Sequence, residues 1–473
     1  MRNAQRLSVP IELERSSSRS LHEQLAEQLR KAIDIGQFAP GMRMPSTRTM
    51  ADVLQVSRGV VVTAYELLLA EGHITGRKGS GTYVSAQARA TLPPVARAEP
   101  DEDHVRIDMT PGRAGTQGFP LTEWRSAWRR ASHSVPYAEE APPLGRPELR
   151  QAIALHLRDS RGLVLDRHEV IVANGYPDAV RLLVQAMGEK TVIGLEDPAA
   201  PRTRAALSQQ GPVLPVPVDE EGVHPGLIPD DCDLLVVTPE RNDPLGVRLA
   251  PERRREVAAW AAEHDRIVVE PAFDGVFGSG GSPLPSIMAI GDPASTVMIG
   301  TFDEVFTPAL RLAYVVAPRD LAYAMADRVV AGHEQPSAIA QQAAAELLRS
   351  GTLNRRLNRL STLYAPKRQL VRATLGGFAE ITLLGADNGA PATLLLPPDV
   401  RAREIVHTLR ARDLLATELA EYGHPDGPRR NGVVLGYGHL GDMPLRRALR
   451  VIIRTLDEHG LARRTSRYQR TVA

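Results

Sequence analysis

Arg48, Ser57, Arg58 and Gly59, followed by the run Arg77-Lys78-Gly79-Ser80-Gly81, bring cations, a hydroxyl and bare backbone together within residues 1–85. Such groups suit a duplex nucleic acid. Guanidinium and ammonium groups neutralise phosphate, while short polar side chains at a helix start reach base edges in the major groove. Glycines around Arg77 and Lys78 let a hairpin backbone approach closely. Covalent chemistry has little to work with, because the lysines are Lys31, Lys78, Lys190 and Lys367 alone. The single cysteine, Cys232, lacks a CxxC or histidine-rich neighbourhood and reads as a small buried apolar residue. Asp230, Asp231 and Asp233 have no accompanying metal-ligand pattern and read as a strand start. The glycines from Gly278 to Gly281 lack the Lys-Ser/Thr of a phosphate-binding loop.

The elements that must position the cations follow from periodicity. Residues 19–36 place Leu21, Leu25, Leu29, Ala32 and Ile33 on one helical stripe, with Ser20 as N-cap and Gly36 as stop. Pro45-Ser46 opens a second helix with Met50, Val53 and Leu54 on its apolar side. Ser57 caps a third helix running to about Glu71. Two short helices joined by a tight turn form a helix-turn-helix. The segment after Gly72 alternates Ile74 with Tyr83 and Val84 around a glycine-rich tip, which predicts a hairpin wing. Residues 86–104 are rich in alanine, proline and acid without periodicity and form a linker. From residue 105 to 473, apolar runs such as VIVANG, TVIGLEDP, CDLLVVTPE, RIVVEPAF and STVMIGTF alternate with helix-like stretches at Ala179–Met187 and Glu252–His264. That alternation predicts an α/β fold with a mainly parallel sheet covered on both faces. A smaller α+β subdomain is expected over about residues 365–473, from ATLLLPPD, a helix around Arg401–Arg412, and GVVLGYGHL. The basic tail RRTSRYQR reads as a frayed helix end.

Composition sets the bounds. With 473 residues, 43% apolar and 24% charged, the chain is expected to form two or three globular domains. Its apolar runs are far shorter than a membrane span, and its start lacks a signal-peptide core, so a cytoplasmic protein without membrane contact is expected. Net charge is +1, yet residues 1–85 hold 11 Lys or Arg against 8 Asp or Glu. That excess permits a nucleic-acid surface without proving one.

The stretch QFAPGMRMPSTRTMADVLQVSRGVVVTAYELLLAEGHITGRKGSGTYV resembles the GntR-family winged helix-turn-helix throughout. The resemblance implies operator contact by Arg48, Ser57, Arg58, Gly59, Arg77, Lys78, Gly79 and Gly81. Val60 stands where the family often has threonine, which puts one contact in doubt and leaves a thymine-methyl contact open. Further on, IDMTPGRAGTQGFPLTEWRSAWRRA, PPLGRPELRQAIALHLRDSRGLVLDRHEVIVANG and GTFDEVFTPALRLAYVVAP resemble a fold-type I aminotransferase, in the arrangement of the MocR subfamily of GntR regulators. Members of that subfamily usually hold pyridoxal phosphate (PLP) as an internal aldimine, so the resemblance raises the question of whether this body does.

PLP needs a lysine for the Schiff base, a carboxylate at the pyridine nitrogen and donors for the phosphate. In the segment resembling GTFSK this chain reads GTFDE, which places Glu304 at the lysine position. EPAFD stands for the family's EDDYD, giving Pro271 for the pyridine aspartate and Phe273 for a tyrosine. The phosphate turn reads Gly175-Tyr176-Pro177-Asp178-Ala179, and Ala200 replaces another site tyrosine. Arg311 matches a phosphate-gripping arginine. The implied protein is therefore a homodimeric, non-enzymatic regulator of double-stranded operator DNA with a degenerate PLP site and no cofactor. Its former cleft, bounded by Arg311, Glu304, Asp303 and Phe273, is expected to take a different small-molecule effector or to serve dimerisation alone. The alternative is a PLP-dependent aminotransferase-like enzyme with a DNA-binding extension.

Overall fold

A computed structural model describes residues 11–462 apart from 16, 18, 35, 78–80, 86–105, 114, 134–139, 189, 273–283 and 388. The chain forms two compact units, Met1–Asp103 and His104–Ala473.

The first unit consists of helices Leu21–Asp34, Thr47–Leu54 and Arg58–Ala70, followed by the antiparallel hairpin Ile74–Arg77 with Gly81–Val84. Its apolar stripes converge. Leu25, Leu29 and Ile33 of the first helix meet Met50 of the second, Val61, Tyr65 and Leu68 of the third, and Ile74 and Val84 of the hairpin. Burying such a set stabilises a small domain by roughly 2 kcal/mol per large side chain before chain entropy is counted. Ser20 stands at the N-cap of the first helix: its carbonyl accepts from Gln24 N–H, and both its N–H and its hydroxyl donate to the Glu23 carboxylate.

In the second unit, eight strands form one sheet in the order His168–Ala173, Ala313–Pro318, Thr296–Thr301, Ile267–Ala272, Leu234–Val236, Ile193–Asp197, Val213–Asp219 and Gly222–Val223. All are parallel except Ala313–Pro318, antiparallel to both neighbours, and the short edge strand Gly222–Val223. Val170 and Val172 pack into one core while Ile171 and Ala173 pack into the other, so helices cover both faces. Two prolines in Val213–Asp219 speak against a strand in the sequence. The carbonyl of Pro217 accepts from His224 N–H, so residues 213, 215 and 217 face the outer edge, where a missing N–H costs little.

The smaller layer is a four-stranded antiparallel sheet, in the order Thr382–Leu384, Pro391–Leu395, Gly432–Gly436 and Thr417–Glu418. Helices Ala402–Arg410 and Asp442–Glu458 and the end of the long helix Thr352–Leu375 share its core. It also takes in the start of this unit: Ile107–Asp108 pairs in parallel with Leu414–Leu415. The tail from residue 463 and the glycine loop at 278–281 lie outside the described residues.

Candidate functional sites: an exposed head and a carboxyl-edge cleft

In the head, Ser46 caps the second helix by accepting from Thr49 N–H at 3.1 Å. Gln55 ends that helix in the left-handed region (φ 53°) and turns the chain into the third. Ser57 sits at the N-cap of the third helix, yet its hydroxyl makes no cap bond. Arg48, Ser57, Arg58 and Gly59 are all exposed. Tyr65 donates to the Pro45 carbonyl at 2.9 Å, locking the two helices together from beneath. Val60 is half-buried, with part of its side chain packed against the head core.

On the wing, Ile74 pairs with Val84 and Arg77 with Gly81, but residues 78–80 and the Arg77 side chain lie outside the described residues. The expectations for Lys78 and Gly79 therefore go without a structural account. A neighbour missed in the sequence is Arg43, which pairs with Tyr83 at the wing's edge. Its guanidinium Nε would stand 3.1 Å from a Cβ on Gly81, whose φ of +109° already favours glycine.

In the body, the carboxyl ends of the parallel strands gather the second set of residues, the usual position for a ligand in an open α/β sheet. Strand Thr296–Thr301 delivers Asp303 and Glu304, and the turn after Leu234–Val236 delivers Arg241 and Asp243. Glu304, Arg241 and Asp243 line one cleft with Arg113, Tyr364, Tyr437 and His439. Asp243 Oδ1 and Arg241 Nη1 are both buried without a hydrogen-bond partner among the described residues. Burial pushes the Glu304 carboxyl up, Arg241 opposes this, and Asp243 and Asp303 add to it. Burial likewise raises Asp243 against the pull of Arg241.

Supporting contacts hold these groups in place. Glu196, itself buried, accepts from Thr238 and from Asn242 Nδ2, fixing the turn that carries Arg241 and Asp243. Gly389 makes room for Arg241, since a Cβ there would lie 2.7 Å from Nη1. Arg356 is buried and donates to the carbonyls of Val305, Gln117 and Gly115, which anchors the turn just past Glu304.

Arg311 follows the short turn after Glu304, just before strand Ala313–Pro318. It is exposed, in the left-handed region at φ 50°. Its charge acts on Asp303, whose carboxyl burial raises while Arg202 and Arg311 lower it. The cation facing Glu304 is Arg241, at a position that the sequence reading did not single out. Phe273 lies outside the described residues. Pro271 is buried in its strand, with Ile267 N–H bonding the Asp233 carbonyl on the side of Leu234–Val236. Residues 267, 269 and 271 face that side, and the neighbouring strand has ended by the level of Pro271, so its missing N–H leaves no gap in the ladder.

The helix Tyr176–Met187 starts at this edge, with Gly175 (φ 86°) as N-cap. Asp178 accepts from Asn174 N–H at 2.8 Å and from Arg181 at 2.6 Å, so the chain supplies its own anion at that helix start. Tyr176 opens that helix, and Ala200 is the N-cap of helix Pro201–Ser208. Lys367 is buried, and burial lowers its pKa; its ammonium donates to Gln117 Oε1 at 3.0 Å and to the Gly438 carbonyl at 2.7 Å. Cys232 is buried, and burial pushes its thiol up to about 11. Asp233 accepts from Val192 N–H and pairs with Arg266, a structural role at a strand start.

Fold and sites define a winged helix-turn-helix head joined to a fold-type I aminotransferase-like body. Residues 21–84 match Bacterial regulatory proteins, gntR family, and residues 110–420 match Aminotransferase class I and II. The chain is 35% identical over 446 residues to the HTH-type pyridoxine biosynthesis transcriptional regulator PdxR of Corynebacterium glutamicum, covering 93% of this chain and 96% of that one. It is 30% identical over 474 residues to the probable rhizopine catabolism regulatory protein MocR of Rhizobium meliloti, covering 92% and 94%. The multiple substrate aminotransferase of Thermococcus profundus superposes with a TM-score of 0.69 at 18% identity, over 75% of this chain and 92% of that one. At that identity the likeness shows the fold alone. The chain belongs to the family of GntR-type HTH transcriptional regulators that carry an aminotransferase class I and II domain. Among the described residues no helix is long and apolar enough to cross a membrane.

Proposed function

We propose that this regulator binds operator DNA as a homodimer through Arg48, Ser57, Arg58 and the wing, and that its body responds to a ligand other than covalently held PLP. The observation that carries the reading is Glu304, which stands in the cleft beside Arg241 and Asp243 at the position where the resembling segment has lysine. A carboxylate forms no Schiff base. Lys367 offers no substitute, because its ammonium is already shared between Gln117 and Gly438. Asp178 supports the same reading, since its charge occupies the helix start that would otherwise favour a phosphate. The buried, unpartnered groups on Arg241 and Asp243 favour a bound effector over a purely architectural body.

The test is to incubate the purified chain with PLP, reduce with borohydride and weigh it. The expected outcome is an unchanged mass and no lasting visible absorbance, alongside footprinted protection of a duplex from the chain's own upstream region. A reduced pyridoxyl adduct on any lysine overturns the proposal and restores the aminotransferase-like alternative.

A further inference from the structure

Helix Asp442–Glu458 turns Leu445, Ala448, Leu449, Ile452 and Leu456 into the small-subdomain core. Its solvent side carries Arg446, Arg447, Arg450 and Arg454, all exposed. Arg454 pairs with Glu458 at 3.0 Å, whereas Arg446, Arg447 and Arg450 have no carboxylate partner among the described residues. Helix Ala402–Arg410 packs alongside and repeats the pattern. It buries Ala402, Ile405 and Leu409 and exposes Arg403, His407 and Arg410 on one stripe. Its exposed carboxylate, Glu404, is met by Arg401 at 3.4 Å.

In a chain of net charge +1, this is a local excess of cations on one two-helix layer. Arg446 and Arg450 lie one turn apart, about 6 Å along the helix, and helices in contact are spaced roughly 8–10 Å, so the layer is an array rather than a point. Both helices spend their apolar faces on the core, leaving no apolar side for a bilayer. A polyanion fits this surface, and the same chain carries a DNA-binding head. Once that head is engaged, flanking duplex is presented to the body at raised effective concentration.

We propose that Arg403, Arg410, Arg446, Arg447 and Arg450 form a second, sequence-independent phosphate-contact surface for duplex DNA. The proposal rests on the reading of the chain as a DNA-binding regulator. The test uses the full chain and a random-sequence duplex of roughly 60 base pairs, titrated between about 50 and 200 mM salt. Relative to wild type, the triple variant Arg446→Gln, Arg447→Gln, Arg450→Gln is expected to bind at least tenfold more weakly at the low-salt end. Its log K against log salt should be shallower by about 2 to 3, one counterion term per lost phosphate contact. The matching Arg→Lys triple keeps most of the slope, which separates charge from folding. A triple Gln variant with the wild-type slope, while Arg48→Gln with Arg58→Gln loses binding, overturns the second surface and leaves the head reading intact. That is also the outcome an acidic protein partner would give. Failure of wild type to bind the duplex at all overturns both readings.

Discussion

The head and the cleft both carry charge, but in opposite physical states. Arg48, Ser57 and Arg58 are exposed at the starts of two helices, and the Ser57 hydroxyl makes no cap bond. Arg241, Asp243 and Glu304 are drawn out of water into a cleft, with two buried polar atoms unpartnered and two carboxyls pushed up by burial. An exposed cation acts through long-range attraction that salt weakens, and its loss hardly touches folding. A buried polar atom without a partner lowers stability until something meets it, so its presence in the cleft carries information about an effector that the head's charges do not.

The largest test of this contrast is Arg356→Met. Three backbone carbonyls would lose a charged donor beside the Glu304 turn, and the body is expected to lose about 3–5 kcal/mol of stability by denaturant titration. The head's own unfolding transition should not move. Equal loss in both units would break the division. Next, Arg58→Ala is expected to weaken binding to a footprinted operator by about 1–3 kcal/mol while leaving both unfolding transitions in place. A drop in head stability of that size would make Arg58 a structural residue instead.

Glu304→Gln sharpens the cleft side. Because burial raises its pKa, the folded body holds this proton more tightly than the unfolded chain does. The resulting stability is fully present below the unfolded carboxyl range and is lost as pH rises through the folded value. The variant should therefore melt above wild type at neutral pH, by about 1 kcal/mol, with the gap closing as pH falls. A gap that widens on acidification would reverse the assignment. The smallest effect is expected from Lys78→Gln: a salt slope shallower by about 0.9 for every duplex tested, with no change in sequence preference.

Much of this contrast was legible in the sequence, for identifiable reasons. The head could be read because its stripes, caps and hairpin are local, spanning a few residues each. The five buried strands were readable as apolar runs between turn residues, and Glu304 was visible from its frame, GTF before it and PALR after it. The partner of Glu304 was not. Arg241 stands in a polar turn with no periodicity, and the cleft requires contacts between residues far apart in the chain, such as Arg241 with Gly389 and Arg356 with Gly115. Val213–Asp219 hid behind prolines whose cost depends on which edge they face, a tertiary fact.

The strand Ile107–Asp108 gives the body an unusual mechanical layout. This strand is stitched to Leu414–Leu415 and runs directly into Thr110, Pro111, Gly112 and Arg113, which are themselves a wall of the cleft. The Met109 carbonyl takes the Gly436 N–H, and His439 reaches the Asp108 carbonyl at 2.8 Å. Whatever moves Arg113 or His439 therefore loads the edge of the smaller layer as well as the wall of the cleft.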